Sequence, residues 1–143
     1  MKKIIITVLL ALLLVNLTGC GEKNNFDMNK ASNTTESTLK DMKEIDKETL
    51  EDVYALDTSK MKNFIFKENK DGDFYAIIET SNINEVKTNM KDYFSKVKQF
   101  NQTYSPERLE LLENRVEKEI DSYLIYIIAE DADKIYDKIV EGL

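Results

Sequence analysis

The chain contains no histidine and a single cysteine, Cys20. Without histidine there can be no Ser-His-Asp or Cys-His catalysis. With one thiol, neither a structural zinc set of Cys and His nor an intramolecular disulfide can form. One proline and four glycines among 143 residues exclude collagen-like and Pro/Gly low-complexity chains. Tryptophan is absent and only seven tyrosines are present, which argues against a developed sugar-stacking platform. Basic residues are the minority, 20 against 27 acids, for a net charge of -7. That balance disfavours nucleic acid, whose phosphates call for clustered Lys and Arg. What remains fits one domain by length.

The amino terminus reads as an address. Lys2 and Lys3 precede an uncharged apolar stretch from Ile4 to Val15, and Leu17-Thr18-Gly19-Cys20 follows. A basic start, a short apolar core and small residues before a cut describe a secretory signal peptide. The apolar stretch falls short of the roughly 20 residues that a spanning helix needs. Leu-Thr-Gly-Cys in this place resembles the lipobox of bacterial lipoproteins. The resemblance implies cleavage between Gly19 and Cys20 and a diacylglyceryl group on the Cys20 thiol. Two acyl chains hold a protein firmly where one holds it marginally. Loss of Lys2 and Lys3 with the leader leaves 18 basic against 27 acidic residues. Lipid rather than headgroup attraction would then hold the chain at the outer face of the cytoplasmic membrane. Abundant Lys, Asn and Ile with only two Arg suggest, by association, a low-GC Gram-positive source.

Residues 1–19 are thus expected to be a signal peptide, 20–43 a lipidated cysteine with a disordered tether, and 44–143 a single domain. The segment 21–43 is rich in Asn, Ser and Thr and shows no apolar period before Leu39. A coil of that length spans roughly 25–30 Å. A folded arm is the competing reading, with Phe26 and Met28 as its only candidate anchors.

Beyond about Glu44 the pattern changes. Leu50, Val53 and Tyr54 share a helical face, with Met42 and Ile45 on an earlier turn. Phe64-Ile65-Phe66 and Phe74 to Ile78 flank Lys70-Asp71-Gly72-Asp73 and predict a hairpin. Ile83, Val86, Met90, Tyr93, Phe94, Val97, Phe100 and Tyr104 recur at threes and fours, the apolar stripe of a long helix. Asn82 and Glu85 are placed to form its capping box. Ser105-Pro106 restarts a helix that carries Leu109, Leu111 and Leu112 to about Asn114. Val116, Lys118 and Ile120 alternate with acids as in a half-exposed strand, and Tyr123 to Ala129 form a strand buried on both faces or central in its sheet. Ile135, Tyr136, Ile139 and Val140 predict a last amphipathic helix ending at Gly142. The order α-ββ-α-α-ββ-α predicts an α+β domain: a four-stranded antiparallel sheet from two hairpins, with helices packed on a face.

This arrangement resembles a bacterial lipoprotein family known as domain of unknown function 4358, from about Leu50 to the carboxyl end. Val53-Tyr54, Phe66-Lys67, Phe100, Tyr104-Ser105-Pro106-Glu107, Leu112, Asn114, Val116 and Tyr123 carry the likeness. It implies a fold and an envelope location but no activity.

Several clusters invite chemistry. Asn69, Asp71 and Asp73 alternate as calcium ligands do, but Phe74 stands where the loop glycine belongs and Thr80 where the closing Glu belongs. Glu130, Asp131 and Asp133 could hold a cation, though Asp131 as a helix cap and Asp133 in its first turn explain them. Glu117, Glu119 and Glu130 could supply a glycosidase pair, but among 27 acids some pair meets that spacing by chance. Tyr104, at the junction before Ser105-Pro106, is the tyrosine placed to contact a partner. Packing across the hairpin is its other reading. No catalytic residue, metal or cofactor is expected. The expected role is a non-catalytic envelope interaction module that binds a surface protein, peptide or wall polymer. A small-ligand or ion-binding lipoprotein is the alternative, and a carboxylate-dependent wall hydrolase the remote one.

Overall fold

The computed structural model describes residues 26–143. In chain order these form α1 (Met28–Thr38), β1 (Lys43–Glu44), a π-helical turn (Thr49–Val53), β2 (Asn63–Glu68), β3 (Phe74–Glu79) and α2 (Ile83–Tyr104). A 3-10 turn (Pro106–Arg108), α3 (Leu109–Glu113), β4 (Val116–Ile120), β5 (Tyr123–Ile128) and α4 (Ala132–Glu141) complete the fold.

The sheet is antiparallel in the order β1-β2-β3-β5-β4. Both expected hairpins form. Asn69 closes the first, accepting the Asp71 and Asp73 backbone N–H groups on Oδ1 at 3.0 Å each. The second turns through Asp121 at φ +52°, a left-handed conformation that Asp tolerates. The sheet has five strands rather than four. The extra one, β1, pairs Lys43 with Glu68 and Glu44 with Lys67. Two charged, exposed residues offer no alternation by which such a strand could be recognised.

Helices cover both faces, not one. Alternate strand residues point to opposite sides of a sheet. Phe74, Ala76 and Ile78 of β3 meet Val86, Met90, Tyr93 and Phe94 of α2 on one side. Tyr75 and Ile77 face the other side, where Ile135 and Ile139 of α4 pack with Phe26, Ala31 and Leu39. An all-apolar strand has no wet face, so β3 and β5 each require cover on both sides. The result is a three-layer α/β/α arrangement.

The disordered tether expected over residues 21–43 is replaced, from Phe26 onward, by part of this third layer. Asp27 caps α1 by accepting the Asn29 and Lys30 N–H groups at 2.9 and 3.0 Å. The buried face of α1 consists of Ala31, Ser32 and Thr35. Its small polar members are satisfied inside: Thr35 Oγ1 donates to the Ala31 carbonyl at 2.9 Å, and Ser32 Oγ lies 2.7 Å from the Tyr75 hydroxyl. Tyr75, fully buried, also donates to Glu36 Oε1 at 2.7 Å, and Lys67 Nζ reaches the same oxygen at 2.6 Å. Burial alone would raise the Glu36 carboxyl. Hydrogen bonds from Lys67, Tyr75 and Ser32, with the Lys67 charge, outweigh it and hold the group below its usual range. Phe26 anchors the start of the layer, its ring 4.5 Å from that of Tyr123. The helical period is present here but written in Ala, Ser and Thr, which hydropathy does not register.

Local expectations also change. Lys43–Glu44 is a strand rather than a helical turn, and Val53 points outward from the π-helical turn with 72% of its surface exposed. Asn82 makes no side-chain cap; Thr80 Oγ1 instead accepts the Asn82 N–H at 2.9 Å. Ser105 and Asp131 likewise make no cap bond, and Asp131 pairs with Lys134 at 2.6 Å.

Candidate functional site

The long helix α2 outruns the sheet that it covers. Its first part buries Val86, Met90, Tyr93 and Phe94, whereas Phe100 and Tyr104, expected on the same apolar stripe, are 60% and 70% exposed. Their rings lie against each other at 4.8 Å between centroids. Tyr104 therefore does not pack across the hairpin; it stands on the last turn of α2, beside Phe100.

A cleft of about 620 Å³ opens beneath this end of the helix. Phe74 and Ile128 from the sheet and Tyr93, Phe94 and Val97 from α2 make its apolar floor. Val53 and Tyr54 form one wall, Leu111 and Leu112 the other, and the β2–β3 turn from Glu68 to Gly72 crosses one end. Packed rings fix the floor: Phe74 lies 5.9 Å from both Tyr93 and Phe94, and the Arg115 guanidinium sits 4.5 Å over the Phe94 ring.

Polar groups hold the walls in place. Lys96 Nζ donates to the carbonyls of Tyr54 and Ala55 at 3.2 Å each, tying the end of the π-helical turn to α2. Arg108 reaches back from the 3-10 turn to the Lys70 carbonyl at 3.5 Å. Its guanidinium lies where a side chain at Gly72 would be: a Cβ built there would come within 0.7 Å of Arg108 Nη1. Gly72 has φ +79°, so only glycine meets both the backbone and the steric demand without strain. Burial pushes the Glu68 carboxyl above its ordinary range, and the Arg108 charge partly opposes that rise. Burial also raises the Tyr93 hydroxyl, with smaller contributions from Tyr54 and Glu68.

Several members of the other carboxylate clusters are tied into structural contacts. Asn69 and Asp73 bond each other at 3.0 Å within the turn. Glu117 pairs with Arg115 and Glu119 with Lys87 at 2.6 Å. Among the described residues no three metal-ligating side chains gather in one place. No described helix is long and apolar enough to cross a membrane. Gly19 and Cys20, the expected cleavage and lipidation residues, lie outside the described residues. Sequence reading singled out Tyr104 but missed the cleft beside it, because its lining comes from five separate stretches between Val53 and Ile128.

Comparison with protein families matches residues 35–129 to the one described as Domain of unknown function (DUF4358). The match begins inside α1 and ends just past β5, so it takes in the whole sheet and the cleft. Neither a curated protein nor a solved structure matches the chain.

Proposed function

The chain belongs to the DUF4358 family, and from that premise we propose that it is a membrane-anchored bacterial surface lipoprotein acting as a non-catalytic envelope interaction module. Leu17-Thr18-Gly19-Cys20 after an apolar stretch supports export and lipid attachment at Cys20. The observation that carries the binding role is the open cleft with exposed Val53 and Phe100 in its lining and exposed Tyr104 against the Phe100 ring. Exposed apolar side chains scattered singly need no explanation, but a cluster at a concave site marks a binding surface. Among the described residues Glu68 is the one carboxylate lining the cleft, so a two-carboxylate hydrolytic mechanism finds no second member among them there.

The test is in-cell crosslinking with p-benzoylphenylalanine replacing Phe100, compared with the same probe replacing Lys134 on the far side of the sheet. A recurrent adduct from position 100 that is absent from position 134, and lost in Cys20→Ser, supports the module. Equal labelling from both positions overturns it. The cleft volume also falls within the range of small-molecule sites. A small-ligand lipoprotein is thus the second reading, and a ligand-induced thermal shift without a protein adduct would favour it.

A further inference from the structure

The charge of the cleft runs against that of the chain. Among the described residues, Lys70, Lys96 and Arg108 line it against the single carboxylate of Glu68, in a protein of net charge -7. Seven ion pairs form among the described residues, and none uses these three cations. With acids in excess, three cations outside every ion pair, facing one carboxylate around an apolar hollow, favour an anionic occupant. The lip adds Asn101 and Ser105, which among the described residues hydrogen-bond through their backbones and not their side chains. An alkyl chain has no use for such groups; a peptide backbone does.

Resting on the cleft reading above, we propose that this site receives the C-terminus of a peptide. Arg108 and Lys70 take its free carboxylate, and the aromatic floor takes an apolar last side chain. The guanidinium offers a planar pair of donors matched to a carboxylate, and Lys70 adds charge nearby. Asn101 and Ser105 face the preceding amides. Arg108 is already held by its seat over Gly72, which limits the ordering cost of binding.

The experiment uses the full lipidated chain in nanodiscs and a pool of amino-terminally labelled, randomised pentapeptides ending in Phe, Leu or Val. Retained members are then measured by anisotropy as free acids and as C-terminal amides. Amidation should weaken binding about tenfold or more, the scale of a lost charge-assisted hydrogen bond. Arg108→Gln should do the same to the free acid, whereas Arg108→Lys should weaken it less. Lys134→Gln, on the opposite face, should leave affinity unchanged. Amides binding within about threefold of the acids, or no peptide retained above empty nanodiscs, would overturn the assignment. So would decanoate binding as tightly as the best peptide, since a free fatty acid would then be the occupant. Position-specific crosslinking at residue 100 together with indifferent amides would remove the carboxylate assignment alone. Absence of site-specific crosslinking would remove the interaction module itself.

Discussion

Replacing Tyr75 with Phe removes one oxygen and leaves the buried ring in place. That oxygen donates to Glu36 and contacts Ser32, so with Lys67 it makes the polar link between α1 and the sheet. A hydrogen bond to a charged group contributes about 1.5–3 kcal/mol. The Glu36 side chain keeps 33% of its surface in solvent and retains Lys67, so the loss should fall at the low end, about 1–2 kcal/mol. Urea unfolding followed by circular dichroism measures it by linear extrapolation. Glu36→Gln and the double variant complete a cycle whose coupling should be about 1 kcal/mol. The pH dependence has a definite sign. The folded Glu36 carboxyl lies below its unfolded value of 4.5, so its contribution is whole above that pH and fades as pH falls through the folded value. The advantage of the wild-type chain over Glu36→Gln should therefore be largest near neutrality and shrink in acid. Were residues 26–39 a free tether, Tyr75→Phe would change stability by less than about 0.5 kcal/mol with no coupling, as ordinary surface changes do. That result would refute the docked third layer.

Three further outcomes follow from the same geometry. Gly72→Ala should cost about 1–2 kcal/mol for the left-handed backbone, and in an Arg108→Ala background that strain should remain without the steric conflict. Chemical denaturation of the two single variants and their combination separates the terms. The Glu68 carboxyl is raised on folding, so it favours the fold below the unfolded value and loses that effect as pH rises through the folded one. Glu68→Gln should accordingly raise the thermal midpoint near neutrality, with the gain vanishing in acid; a gain that grows in acid would contradict the assignment. Cys20→Ser should move the protein from the membrane fraction to the medium, read by fractionation and immunoblot, and retention in the membrane would sink lipid anchoring.

The cleft was legible only in pieces. Tyr93, Phe94 and Val97 sit on a stripe whose 3.6-residue period is plain in the sequence, but its continuation to Phe100 and Tyr104 misled. A stripe records which residues share a helix face, not where the opposing sheet stops. The excess of positive charge in the cleft was invisible for a related reason. Lys70 and Arg108 are 38 positions apart, and their standing outside the ion pairs of the described residues is a property of the folded surface.

Local pattern alone determined the two hairpins, the long helix and the final amphipathic helix. Each rests on a period that neighbouring residues enforce on one another through backbone geometry. Composition likewise excluded His-dependent catalysis and an intramolecular disulfide, since absent side chains cannot be supplied by folding. Tertiary structure decided the rest. Helices lie on both faces because β3 and β5 have no polar side to leave wet. Residues 28–38 are a layer rather than a tether because Tyr75 and Lys67 satisfy a polar helix face from across the sheet. A hydrogen bond spanning 39 positions rewards order that no local window can register.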